Sequence, residues 1–308
     1  MSHPESLTIP DPVRPGLSLS RTIFRFPDNH VLPGFWLSFG VTMGWVSSLV
    51  LLPLLALFAK ASSAGMGQML HAVLAPRALA ALELSFGVAA IAALINLPLG
   101  LLLAWVLVRI PFPGRSVADA IVDLPFALPT AVAGITLATL YGPSGWIGAP
   151  LASIGIQIAF TRLGIVLALI FIGLPFVVRS VAPVLADFPA EQEEAATTLG
   201  ASPWQSFRRV MLPALLPALL SGFGLAFARG VGEYGSVIFI SSNIPMVSEI
   251  APTLIVSELQ EFHYASASCI GLVMLAGSAL SLVLVAALQR HWASPASRKR
   301  RLVAGGQK

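Results

Sequence analysis

The sequence predicts an all-α polytopic membrane protein with six transmembrane helices, and three observations carry that reading. Apolar residues fill 56% of the 308 positions and charged residues only 10%, against about 45–50% and about 25% in soluble domains. So few charges cannot dress the surface of a soluble globule, which excludes an ordinary soluble enzyme and also a disordered chain. Six stretches of the chain approach the roughly 20 apolar residues that cross about 30 Å of hydrocarbon. Within them the apolar positions are nearly continuous, without the alternation of barrel strands and without a polar face.

The elements follow in order. Residues 1–35 form a cytoplasmic N-terminal tail, and Pro4, Pro10, Pro12 and Pro15 predict poor order there. The first span runs from Trp36 to Phe58; it is too long and too far from the terminus for a cleaved signal peptide. The second runs from Leu84 to Val108. The third, Val117 to Leu140, carries Pro125 and Pro129 and is predicted to kink or break there. The fourth runs from Leu163 to Leu185, the fifth from Pro213 to Ile240, and the sixth from Cys269 to Leu288. The membrane domain is thus 36–290, and 291–308 is a basic tail with Arg298, Lys299, Arg300 and Arg301. Cys269 is the one cysteine, so no intramolecular disulfide forms.

Orientation follows from Lys and Arg. With the N-terminus in the cytoplasm, 14 of the 18 fall inside, Lys60, Arg77 and Arg162 fall outside, and Arg229 lies in a span. Both termini and the loop from Asp187 to Leu212 are then cytoplasmic.

That loop, 187–212, is the most informative segment. Pro189 suits a first helical position, and Glu191, Glu193 and Glu194 suit a helix N-terminus. Ala195 and Ala196 continue the helix and Gly200 stops it. Ser202, Pro203 and Gln205 then predict a capping box opening a second helix. A solvated connector would also fit this pattern.

The run Glu194-Ala195-Ala196, three residues, Gly200, nine residues, then Val210-Met211-Leu212-Pro213 resembles the EAA motif of ABC importer permeases, with Val210 where Ile is usual. The stretches 123–134, 171–179, 227–236 and 243–252 resemble the sulfate/thiosulfate branch of that family. The resemblance spans about Leu32 to Trp292. It implies a type I ABC importer permease fold and one half of a translocation pathway for sulfate and thiosulfate. It implies a second homologous permease subunit, two ATP-binding subunits that use ATP and Mg, and an external sulfate-binding protein. It implies that the 187–212 loop is a coupling helix for the ATPase, with Glu194, Ala195, Ala196 and Gly200 as contact residues. A molybdate or tungstate permease is the alternative within the family. A proton-coupled secondary anion carrier is the alternative from another class, against which the EAA segment argues.

No catalytic site and no resident cofactor is expected in this chain. A P-loop ends in Gly-Lys-[Ser/Thr], whereas Lys60, Lys299 and Lys308 follow Ala59, Arg298 and Gln307. ATP hydrolysis would therefore belong to another subunit. His3, His30, His71, His263 and His291 are scattered, and they read as solvated side chains in tails and loops, with no metal cluster and no nucleic-acid surface. Arg229 and Glu233, four apart on the fifth span, read as a structural ion pair or as part of an anion pathway. Gly222, Ala226 and Gly230, and beside them Gly224, Ala228 and Gly232, form ridges for close helix approach, within one subunit or between two. Asp123 lies deep with no readable partner. Ser241, Ser242 and Asn243 follow the fifth span on the outer side, as substrate or binding-protein contacts or as a polar turn.

Overall fold

Alanine and glycine make up seven of the twelve buried residues of the longest helix, Pro76–Arg109, and this lets neighbouring backbones approach it closely. The computed structural model describes residues 35–292, which form helices and connecting turns with no strand among the described residues. The expectations for 1–34 and for the basic run 298–301 lie outside these residues.

Residues up to Pro53 form one unit and those from Leu54 another. In the first unit, α1 (Phe35–Val46) passes through a π turn, Ser47–Leu51, into the start of α2 (Leu52–Ser63). Every described side chain before Pro53 is exposed, the expected state of an apolar helix whose solvent is lipid. The π turn ends two residues before Pro53, and a second one, Phe207–Met211, ends two residues before Pro213. Proline lacks the N–H and its ring crowds the preceding turn, so a wider turn relieves both.

The second unit is built on α4 (Pro76–Arg109), α8 (Arg162–Ala186) and α11 (Leu212–Val231), which pack on one another. Ala81, Ala89, Ala92 and Ala93 of α4 are buried with Val177, Val178 and Val181 of α8 and with Leu215 and Ala226 of α11. At Gly222 the helices approach closely: a Cβ there would lie 2.7 Å from Cα of Val177. The neighbouring ridge meets α14 (Tyr264–Trp292), where a Cβ on Gly224 would stand 2.9 Å from Val285. Gly222 and Gly224 thus pack within this chain.

The predicted third span is a broken one. Helices α5 (Arg115–Ala127) and α6 (Thr130–Tyr141) meet at 110°. Pro129 forces its predecessor Leu128 into an extended conformation, ψ 135°. Among the described residues five further helices or helical runs are long and apolar enough to cross a membrane, which makes six when the bent pair is taken as one span.

The fifth span departs from expectation. It ends at Val231 instead of reaching Ile240. Glycines 230, 232 and 235 weaken the helix there, and Glu233 turns inward; the chain resumes only as the single turn α12 (Val237–Ile240). Short helices α3 (Gly65–Leu74), α7 (Gly148–Ser153) and α13 (Ala251–Gln260) fill connections that the sequence reading left without structure. His71 is on α3, in a helix and not in a loop.

Candidate functional site

The segment after α8 folds as helix, glycine turn, helix. Its first helix, α9 (Ala190–Thr198), starts one residue after Pro189, which stands at the N-cap and not at the first helical position. Gly200 has φ +82°. Its N–H donates to Thr197 O at 2.9 Å, and the Ala201 N–H donates to Ala196 O at 3.0 Å, which together make a Schellman ending. Ser202 then caps α10 (Pro203–Ser206). The Gln205 N–H donates to Ser202 Oγ at 3.3 Å, and the Ser202 N–H donates to Gln205 Oε1 at 2.9 Å, completing the capping box.

This hairpin is pinned to α4. Arg109 Nη2 donates to Glu193 Oε1 at 2.6 Å, and its guanidinium lies 5.7 Å from the Trp105 ring centroid. Trp105 meets Phe207 edge-on at 5.7 Å, and Phe207 stacks on Trp204 at 5.6 Å. A cavity of about 590 Å³ opens between the hairpin and α4, lined by Leu102, Trp105, Glu193, Trp204 and Phe207 among others.

Of the residues the sequence singled out here, Glu194, Ala195 and Gly200 are exposed while Ala196 is buried beneath them. Two residues went unnoticed. Leu199 is 88% exposed and Trp204 is 66% exposed, on either side of the turn. The signal was present, since large apolar residues flank a glycine in an otherwise polar loop.

Four arginines of the apolar helices, Arg77, Arg109, Arg179 and Arg229, are each paired with a carboxylate. Arg229 Nη1 lies 2.6 Å from Glu233 Oε2, and Glu233 is 1% exposed. Its other oxygen, Oε1, accepts from the Ser236 N–H and hydroxyl, both at 3.0 Å. The two residues do not share a helical face as expected, because Glu233 lies beyond the helix end at Gly232. Asp123, whose partner was unreadable, receives Arg179 of α8 through Nε at 2.8 Å and Nη2 at 2.6 Å, and Nη1 of the same arginine reaches Asp119 at 2.8 Å. Glu249 is likewise buried, held by two bonds of 2.8 Å from Arg77.

Beyond α12, Ser241 is buried and donates to Ser248 O at 2.8 Å. Asn243, at φ +52°, donates through Nδ2 to Ile238 O at 2.8 Å. The Ser241 hydroxyl and the Asn243 Nδ2 group are committed to the turn itself, while Asn243 Oδ1 is buried with no hydrogen-bond partner among the described residues. Ser242 instead lines an open cavity of about 650 Å³. His263 is exposed between α13 and α14, the solvated loop position expected of it, with two carboxylates beside it. Its Nδ1 lies 3.4 Å from carboxylate oxygens of both Glu258 and Glu261, and ligand-type atoms of the three fall within 4.8 Å of one another. Ion pairing accounts for that grouping when the imidazole is protonated.

The comparisons match this architecture. The sequence model of the family described as "Binding-protein-dependent transport system inner membrane component" covers residues 96–294, from the middle of α4 through α14. The chain belongs to that family. A protein called "Sulfate transport system permease protein CysT" from Synechococcus elongatus is 48% identical over 257 residues, 83% of this chain and 92% of that one. Its namesake from Escherichia coli is 46% identical over 270 residues, 88% of this chain and 98% of the relative. Among solved structures, a bacterial ABC transporter involved in the import of the acidic polysaccharide alginate superimposes with a TM-score of 0.70 at 17% identity, over 84% of this chain and 96% of that one. The MetNI methionine ABC transporter gives 0.52 at 18% identity, over 70% and 94%. The fold is that of the type I ABC importer permeases.

Proposed function

We propose that this chain is the transmembrane permease subunit of an ATP-driven importer of sulfate and thiosulfate, forming half of the translocation pathway. The observation that carries the coupling to ATP is the hairpin around Gly200. It is a rigid, capped element that presents Leu199 and Trp204 outward beside the acidic face of α9. Large apolar side chains held out on a polar loop suit a groove on a partner protein. Sulfate as cargo is supported by the relatives named above, which align with nearly their whole length.

In this reading Leu199, Trp204, Glu194, Ala195 and Gly200 meet an ATP-binding subunit, and Ala196 supports them from beneath. ATP and Mg are bound by two such subunits and not by this chain. A second, homologous permease subunit completes the pathway, and an external sulfate-binding protein supplies affinity. The hairpin and both termini face the cytoplasm of a bacterial-type inner membrane, with 36–290 as the membrane domain and 291–308 as a basic tail. The ion pair of Arg229 and Glu233 orients the glycine-rich end of α11. The Glu233 carboxylate accepts two hydrogen bonds from Ser236 and faces the Arg229 guanidinium, an arrangement that suits a structural anchor.

Co-purification tests the reading. The chain should hold an ATP-binding subunit through detergent extraction, and sulfate with its binding protein should stimulate ATP hydrolysis by the complex in liposomes. A chain that purifies alone and carries sulfate without ATP contradicts it.

A further inference from the structure

We propose that Arg162 and Ser242 form an outer reception site for a tetrahedral oxyanion, a proposal that rests on the sulfate-import reading above. Arg162 opens α8 and is exposed. Its Nε donates to Val247 O at 2.6 Å, which fixes the guanidinium plane on the 244–248 turn. Its two terminal nitrogens have no acceptor, and it joins no ion pair among the described residues. By contrast Arg77, Arg109, Arg179 and Arg229 are each matched to a carboxylate. An always-charged planar donor with open N–H groups is suited to a divalent oxyanion.

Hydroxyl chemistry stands in the same cavity of about 650 Å³. Ser242 Oγ and Ser248 Oγ are 2.7 Å apart, and Ser248 Oγ also accepts the Ile244 N–H at 3.0 Å. The two hydroxyls share one hydrogen between them, so the other finds no acceptor among the described residues and is available to a ligand. The cavity is far larger than a sulfate ion and open, so the ion keeps part of its water and is held weakly. Weak capture suits a place where cargo is handed over and must leave again. Glu83 lines the adjacent cavity, not this one, and limits the positive potential around Arg162.

The test uses the assembled complex in proteoliposomes, with sulfate-loaded binding protein outside, in a Cys269→Ala background that removes a buried thiol. Arg162→Cys should lower sulfate flux about tenfold, the size of one lost charge-assisted contact, while binding-protein-stimulated ATP hydrolysis persists. Treatment with a cationic methanethiosulfonate should restore much of the flux, and an anionic one should not. Ser242→Ala, which leaves the bond from Arg162 to Val247 in place, should lower flux about threefold. Unchanged flux in Arg162→Cys, equal rescue by both reagents, or a loss of ATP hydrolysis parallel to the loss of flux overturns the site. A complex that moves no sulfate before any substitution refutes the import reading itself.

Discussion

Glu233 shows how a single residue shapes this protein. Its carboxylate is removed from solvent, faces Arg229 with one oxygen and accepts two donors from Ser236 with the other. Glu233→Gln keeps the volume but deprives Arg229 of its counter-charge and leaves Ser236 with a neutral acceptor. Removing one partner of a buried pair costs more than removing both. The single substitution should therefore lower the amount of folded protein in membranes, with a loss of about 1–3 kcal/mol, and adding Arg229→Gln should partly restore it. Immunoblots and thermal melting in detergent read this directly; normal accumulation of each single variant would show that the pair is not structural. The spacing from 229 to 233 made the pair legible in the sequence. The partner of Asp123 was not legible, because Arg179 lies 56 positions away and only the packing of α5 on α8 brings them together. The free hydrogen-bonding capacity of Arg162 was hidden for the same reason.

At the scale of elements, local chemistry foretold what local chemistry controls. The Gly200 turn, the capping box of Ser202 and Gln205, and the break near Pro129 each depend on a few consecutive residues, and each could be read from them. The end of the fifth span could not be read from hydropathy, since Val237 to Ile240 are as apolar as the helix before them. Glycine content and the inward turn of Glu233 decided it. Small-residue ridges had two possible partners, and only the fold showed Gly222 against Val177. Gly222→Ala should destabilise the chain by about 1–3 kcal/mol through overpacking, because its Cβ would meet backbone at 2.7 Å. Gly40→Ala, with nothing within 4 Å, should not lower melting, because Ala favours a helix interior over Gly; an equal loss at the two sites would argue against the α8–α11 packing. Gly200→Val tests the hairpin. No atom lies within 4 Å of an added Cβ, so the cost comes from φ +82°, which a β-branched residue adopts poorly, about 1–2 kcal/mol. The variant should insert normally yet retain less ATP-binding subunit on purification, and undiminished retention would remove the hairpin from the coupling account.

For the whole molecule, the distribution of Lys and Arg predicts one orientation. Thr198 is exposed on α9 and Gln157 is exposed between α7 and α8. In a Cys269→Ala background, a cysteine at Gln157 should react with an impermeant thiol reagent in intact cells, and one at Thr198 should react only after the membrane is opened. The reverse pattern would invert the topology, and with it the assignment of Arg162 to the outer face.

The central claim is ATP-driven passage of sulfate through a pathway that this chain half-forms. Uptake of radiolabelled sulfate into proteoliposomes tests it most directly. The liposomes would hold this chain, its partner permease and the ATP-binding subunits, with sulfate-loaded binding protein outside and ATP inside. The account predicts accumulation that requires ATP and binding protein and that falls sharply when Gly200 is changed to Val. Sulfate accumulation driven by a proton gradient, without ATP and without any added subunit, would contradict it.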